Sequence, residues 1–281
     1  MLFPSSPPAT LAGFCQSAHK GAEMTRGQTR VILIIAGMIA LTIAVAFWLA
    51  AQFTAERVQF EVTPDHPCAF GYSMAWLAIR SRDTAAVLEA LRVTKPEPCN
   101  WNSGIGTVYD KQLGELHVFV SPPVDNWTFV VGLPLPHPVG RGFVDKCTPL
   151  LVELGGQFPE VQYFFAYPLI DFFAWARVRD GRLVRAFAIT DEGVAWSKGR
   201  TTKEERALGL KLFELRGVLG RKGDAGGEII LHPTEDHVMR LAQRWSLDPT
   251  TLSTLPSQKS AVGYIAEAAY AWRTERLRKV A

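Results

Sequence analysis

The sequence predicts an α+β protein: a single N-terminal transmembrane helix, then a mainly antiparallel sheet domain with helices on one face. Three observations lead to this class. Val31 to Ala51 contains no charged residue. Beyond it, amphipathic stretches alternate with short runs rich in β-branched and aromatic residues. Turn dipeptides, Asp125-Asn126 and Asp180-Gly181, fall between such runs, as antiparallel hairpins require.

The apolar run comes first. At about 1.5 Å per residue a helix from Val31 to Ala51 is roughly 30 Å long, which matches the hydrocarbon core of a bilayer. A removable secretory signal has a shorter apolar region, of about 7–15 residues, and small residues before its cut. Leu49 is bulky where a cut after Ala51 needs a small side chain. A buried soluble helix normally shows a polar stripe, and this run has none. A retained anchor over residues 31–53 is therefore expected, with the bilayer as its partner. Arg26 and Arg30 precede it, and Glu56, Glu61 and Asp65 follow along with Arg57. Positive residues stay inside, so the N-terminus should be cytoplasmic and the large domain outside, at the cytoplasmic (inner) membrane and periplasmic in a Gram-negative cell.

Residues 24–30 form the basic cytoplasmic lead. Residues 1–23 are rich in Pro, Ser and Ala without a period. They are expected to be a disordered tail or a misassigned start, with Met24 as the natural beginning. Residues 54–66 look like an extended linker, 67–257 like the extracytoplasmic α+β domain, and 258–281 like a C-terminal amphipathic helix.

Within the domain, Ser73 to Ile79 reads as a short apolar helix and Asp83 to Val93 as an amphipathic one capped by Asp83 or Ser81. Pro96 and Pro98 stop it. Strands are expected at Gly106 to Tyr109, Leu116 to Val120 and Trp127 to Leu133. A second round opens with a helix from Lys146, interrupted at Gly155-Gly156. Strands then follow at Val161 to Tyr167, Phe172 to Val178, Leu183 to Ile189 and Val194 to Trp196. Helix followed by strands thus occurs twice, which suggests a duplicated unit. Helices are expected at Thr201 to Phe213, with Thr201 or Thr202 as cap, at Thr234 to Trp245, and at Ala261 to Lys279. Gly217 to Gly227 reads as a loop.

The composition excludes one function class. Net charge is +3 from 30 basic and 27 acidic residues. Residues 1–51 hold Lys20, Arg26, Arg30 and Glu23, so the remainder carries 27 basic and 26 acidic residues. A near-neutral domain has no electrostatic footprint for nucleic acid.

The chemistry-bearing residues are few. Cys68, Cys99 and Cys147 would lie in an oxidising compartment, and an odd number suggests one pair and one free thiol. Cys68 and Cys99 bracket the first helical pair and are the expected disulfide; three buried thiols are the alternative. His232, Glu235, Asp236 and His237 form the densest polar cluster. Zinc motifs set histidines four apart on a helix, whereas here they are five apart with Pro233 between them. A helix start explains the cluster, and no metal or other cofactor is expected. Gly71-Tyr72-Ser73 resembles a loosened nucleophile elbow, but that motif needs a strand just before the serine. The Gly104-x-Gly106 pair lacks the third glycine of a dinucleotide fingerprint and reads as a turn. Trp101 and Asn102 near it, Trp127 beyond Pro122-Pro123, and His137 in the Pro-rich PLPHP loop are candidate rim residues of a binding surface.

The expected function is accordingly a membrane-anchored, non-catalytic binding or interaction protein with an unknown protein or small-molecule partner. A toxin inhibitor and an envelope-assembly factor both suit that location. The alternative is an anchored hydrolase using Ser73 or His232, Glu235 and His237.

Overall fold

The structure is a computed structural model that describes residues 26–54, 59–138, 145–210, 212, 232–255 and 261–272. The chain divides into two compact units, Met1–Val58 and Gln59–Ala281. The expectations for residues 1–23 and for the loop at Gly217 to Gly227 lie outside the described residues.

In the first unit, α1 (Arg26–Thr54) is one continuous helix. Its segment Thr29–Trp48, 20 residues with mean hydropathy 2.7, is long and apolar enough to cross a membrane. The hydroxyl of Thr42 donates to the Met38 carbonyl at 2.8 Å, which satisfies a polar group inside the apolar run.

The second unit is built on one nine-stranded sheet. Its elements run β1 (Met74–Ile79), α2 (Thr84–Leu91), β2 (Thr94–Cys99), α3 (Trp101–Tyr109), β3 (His117–Val120), β4 (Thr128–Val131) and α4 (Cys147–Gly155). They continue with β5 (Glu160–Tyr167), β6 (Phe172–Arg179), β7 (Arg182–Thr190), β8 (Gly193–Lys198), α5 (Lys203–Ala207), α6 (Glu235–Trp245) and β9 (Gly263–Glu267). The strand order is β2-β9-β3-β4-β1-β5-β6-β7-β8. Every neighbouring pair is antiparallel. The expected Asp180-Gly181 hairpin joins β6 to β7, with φ of 46° and 72° at its two central residues. Positive φ at both positions is the turn geometry that matches strand twist.

The sheet is covered on both faces, not on one as the sequence suggested. Trp76, Phe119, Phe164 and Trp175 pack with Trp101 and Ile105 of α3 and with Leu241 and Trp245 of α6. The alternate residues Leu77, Val118, Tyr163 and Ala174 pack with Val87 of α2 and with Leu151 and Leu154 of α4. All six residues of β1 are buried, so neither face can be left to water. Helices come close at two glycines. A Cβ on Gly104 of α3 would stand 2.2 Å from a Phe119 ring carbon, and one on Gly155 of α4 would stand 2.2 Å from Val178.

The structure corrects several other expectations. The described elements show no duplicated unit: helices interrupt the first three strands, four strands then follow α4 in succession, and β9 returns to fill the gap between β2 and β3. Within the expected helix Ser73 to Ile79, Met74–Ile79 is strand, because the middle of the sheet overrides the helical preference of Met, Ala and Leu. Gly106 to Tyr109 ends helix α3, whose first turn is held by the Asn100 side chain and by Asp65, which accepts from the Trp101 and Asn102 amides at 2.7 and 2.9 Å. Pro96 and Pro98 lie in β2, an edge strand, where the missing N–H groups are tolerated. The expected C-terminal helix is β9 followed by a 3-10 turn at Tyr270–Trp272, with residues 273–281 outside the described part. Residues 59–66 are no free linker: the Asn100 amide donates to the Glu61 carbonyl at 2.7 Å, and Phe60 packs on the core.

Two buried carboxylates tie the far end of the sheet to its cover. Glu205 of α5 is fully buried and accepts from Trp175 Nε1 at 2.7 Å, from Arg185 Nε at 2.8 Å and from the Thr202 amide at 2.5 Å. Glu160 accepts from Arg177 at 2.6 Å, Arg179 at 3.0 Å and Gln162 at 2.8 Å, while the Gln162 amide also reaches the Trp245 carbonyl at 3.0 Å. Removing one partner of such a pair strands the other charge in the core. Glu205→Ala should therefore cost about 3–5 kcal/mol in chemical denaturation. Arg92→Ala, which breaks the exposed Arg92–Glu153 pair, should cost no more than about 1 kcal/mol.

Candidate functional site

The PLPHP loop leaves β4 at an end of the sheet shared with the β5–β6 and β7–β8 turns. There a pocket of about 420 Å³ is lined by Leu133, His137, Phe165, Tyr167, Ile170, Phe172 and Thr190. That volume falls within the roughly 300–1,000 Å³ of small-molecule sites. Its positions follow from strand geometry. Phe165 and Tyr167 lie two apart on β5, on one face of the sheet, and Tyr167 pairs with Phe172 across the β5–β6 turn. Pro168–Ile170 makes a single 3-10 turn that Asp171 closes at φ 47°. It leaves Leu169 84% and Ile170 54% exposed beside the pocket.

His137 is the polar group set among these rings. It stacks on Phe165 with centroids 4.5 Å apart and meets Phe172 edge-on at 6.2 Å, while Phe165 and Phe172 are themselves edge-to-face at 4.8 Å. Its Nδ1 lies 3.0 Å from the Tyr163 hydroxyl. Burial pushes the Tyr163 phenol well above its ordinary range, so it stays protonated at this contact. Burial holds His137 down at about 4, against an opposing backbone hydrogen bond at Leu133. The imidazole is thus neutral near pH 7. Behind Tyr163 the Cys147 thiol is pushed well above its usual value by burial and by Asp145, which removes it as a nucleophile. The site can hold an apolar group, and its described residues include no activated nucleophile.

The other sequence-predicted residues are dispersed. Trp101 and Trp127 are core residues, 2% and 8% exposed, and form no rim. Asn102 is exposed at the first turn of α3. Ser73 and Glu235 do meet, but through the Ser73 backbone amide, which donates to the carboxylate at 2.9 Å. Ser73 stands just before β1 at φ 51°, the reverse of the strand-then-serine order of a nucleophile elbow. His237 is spent on helix capping: its Nδ1 lies 2.8 Å from the Thr234 hydroxyl and accepts from the Thr234 amide at 3.2 Å. Burial, with Arg240 nearby, lowers its pKa. His232 Nδ1 lies 3.1 Å from the Pro233 carbonyl, and the ring sits edge-on to Phe173. Among the described residues no hydrogen bond joins Ser73 to either histidine, and no three His, Cys, Asp or Glu side chains are grouped to hold a metal ion.

Sequence reasoning named His137 but missed Phe165, Tyr167, Ile170, Phe172 and Thr190. Aromatic residues in a strand read as core, and the exposed Leu169-Ile170 pair was the one signal that this turn differs. Compared with family models, curated proteins and solved structures, the chain has no match in any of the three.

Cys68, Cys99 and Cys147 are free thiols, so the expected Cys68–Cys99 disulfide is not formed. Burial raises Cys99 to about 12 and also raises Cys68, with Asp65 adding to both. Alkylation of unfolded, unreduced protein should modify all three, read by peptide mass mapping; a Cys68–Cys99 cross-linked peptide would contradict this. A second expectation concerns His137. Its folded pKa lies below the unfolded value of about 6.5, so the unfolded chain binds the extra proton between these values. Stability should be complete above about pH 6.5 and fall towards pH 4, by up to about 3 kcal/mol from this group. His137→Gln, which can still hydrogen-bond to Tyr163, should flatten that part of the profile in thermal melts from pH 4 to 7.

Proposed function

We propose that the chain is a membrane-anchored, non-catalytic binding protein whose domain faces away from the cytoplasm and takes a small apolar ligand in the His137 pocket. The observation that carries this reading is the pocket itself. It has an aromatic floor, an exposed apolar turn beside it, and a histidine whose Nδ1 is held by Tyr163. Sites for small molecules have this make-up: mostly apolar lining with few placed polar groups. The anchor reading is supported by the apolar run of α1, and a cytoplasmic N-terminus at the inner membrane by Arg26 and Arg30 at the start of that helix. Ligand capture beside the bilayer suits an envelope-assembly role better than a toxin inhibitor, which needs a broad protein-binding face rather than a pocket.

Two measurements test it. Full-length protein in phosphatidylglycerol nanodiscs is photolabelled with a neutral six-carbon alkyl diazirine. Adducts should concentrate on the peptides carrying Leu133 and Phe165 to Phe172, and Ile170→Asp should remove most of them. Labelling spread evenly over the chain, or unchanged in Ile170→Asp, defeats the pocket assignment. Protease added to spheroplasts should digest the domain and leave α1 behind; a protected domain reverses the orientation.

A further inference from the structure

We propose that one end of the sheet, rich in exposed arginine, docks on anionic phospholipid headgroups and leaves the His137 pocket facing away from them. The proposal rests on the anchor reading of α1, which brings a bilayer to the chain, and is independent of what the pocket binds. Strand register places the charges. Arg80 follows β1, and its amide donates to the Glu160 carbonyl at 2.9 Å. Glu160 is level with Arg179 on β6, and Arg179 with Arg182 on β7. Arg82 lies in the turn from β1 to α2. β8 runs back towards the same end, and Arg200 and Lys203 lie where it passes into α5. All six of these basic residues are exposed.

Segments 80–83, 179–182 and 199–204 hold these six basic residues against three acidic ones, Asp83, Asp180 and Glu204. Asp83 is occupied in capping α2. Glu160 is buried and bound to Arg177 and Arg179. Among the described residues no carboxylate forms an ion pair with Arg80, Arg82, Arg182, Arg200 or Lys203. At the opposite end of these strands, segments 133–138, 165–172 and 190–193 contain no Lys or Arg. That is the end of the His137 pocket. Positive charge is thus gathered at one end of a domain that is close to neutral as a whole.

The make-up of this end favours headgroups over other anionic partners. Its turns serve the five neighbouring strands β1-β5-β6-β7-β8, a width of about 19 Å at 4.8 Å per strand. The three segments contain no aromatic, Met or Leu residue. Protein interfaces are enriched in aromatic residues and Met, and single-stranded nucleic acid is held by aromatic stacking. A headgroup layer needs only cations that reach phosphate. Five of the six are Arg, whose planar fork meets phosphate oxygens two at a time. Each basic residue near an anionic bilayer strengthens attachment about fivefold. The chain also enters the unit at this end. The Glu61 carbonyl accepts from the Asn100 amide at 2.7 Å, one residue past Cys99 of β2. Register through β9, β3 and β4 puts Cys99 at the Ile79 end of β1.

The test places full-length protein in phosphatidylglycerol and in phosphatidylcholine nanodiscs and treats both with the arginine reagent phenylglyoxal. Peptide mass mapping reads each site. Arg82, Arg182 and Arg200 should react about fivefold more slowly in phosphatidylglycerol, and salt at about 0.5 M should erase the difference. Arg92, whose side chain is 75% exposed before the far end of β2, should react equally in both. Arg82→Glu with Arg182→Glu should abolish the protection of Arg200 while leaving the melting temperature unchanged. Equal rates in the two lipids, with protein retained in both, overturn the docking and leave the anchor reading standing. Protection of Arg200 that persists in the double variant overturns it too. Polyglutamate or a DNA duplex, added to phosphatidylcholine discs, should protect less than phosphatidylglycerol does. Equal protection by either replaces lipid with an acidic protein or nucleic acid as the partner. Protein lost from both kinds of disc removes the anchor reading, and the docking with it.

Discussion

A strand in the middle of this sheet must hide side chains on two faces at once. β1 shows it: Trp76 and Leu77, neighbours in the chain, belong to opposite cores and both are fully buried. Helices are therefore needed above and below, and they come close enough to demand glycine where Gly104 meets Phe119 and Gly155 meets Val178. The same demand reaches charged positions. Arg177 and Arg185 fall on the face covered by α5 and α6, and an unpaired guanidinium there would be prohibitive. Glu160 and Glu205 answer them. Glu205 is also the second half of a capping box with Thr202, so a five-residue helix that could not persist alone is fixed by the pair it neutralises.

What could be read in the sequence was what local chemistry decides. Asp180-Gly181 specifies its turn without outside help, and β5 to β8 follow from it by short connections. Asp83 caps α2, accepting from the Ala86 amide at 3.0 Å. What could not be read depended on partners distant in sequence. The residues MAWLAI have no strand-like alternation because both of their faces are buried. The stripe of Tyr264, Ile265, Ala268 and Trp272 suits a helix, yet β9 is drawn into the gap between β2 and β3, where Ile265 pairs with Phe119. Long-range pairing outweighs a local period when it supplies hydrogen bonds on both sides of a segment.

The site shows the same division. His137 stood out because it lies in the Pro-rich PLPHP loop. Trp101 and Trp127 stood out as aromatics beside an expected turn and a Pro-Pro pair, and both are in the core instead. Phe165 and Phe172 belong to strands that fill a core elsewhere, and they line a pocket only because the sheet ends there.

That placement bears on how a pocket and a stable fold coexist in one strand pair. Phe164 and Phe165 are adjacent on β5, and they divide the work by parity. Phe164 stacks on Trp76 at 5.1 Å within the core, whereas Phe165 turns to the opposite face and stacks on His137. A change at the pocket face leaves the Trp76 stack in place, since the two rings share a backbone but no packing partner. Tyr163 links the two domains of constraint. It is buried on the pocket side with its hydroxyl committed to His137, so the imidazole is held from inside the fold as well as by its backbone hydrogen bond at Leu133.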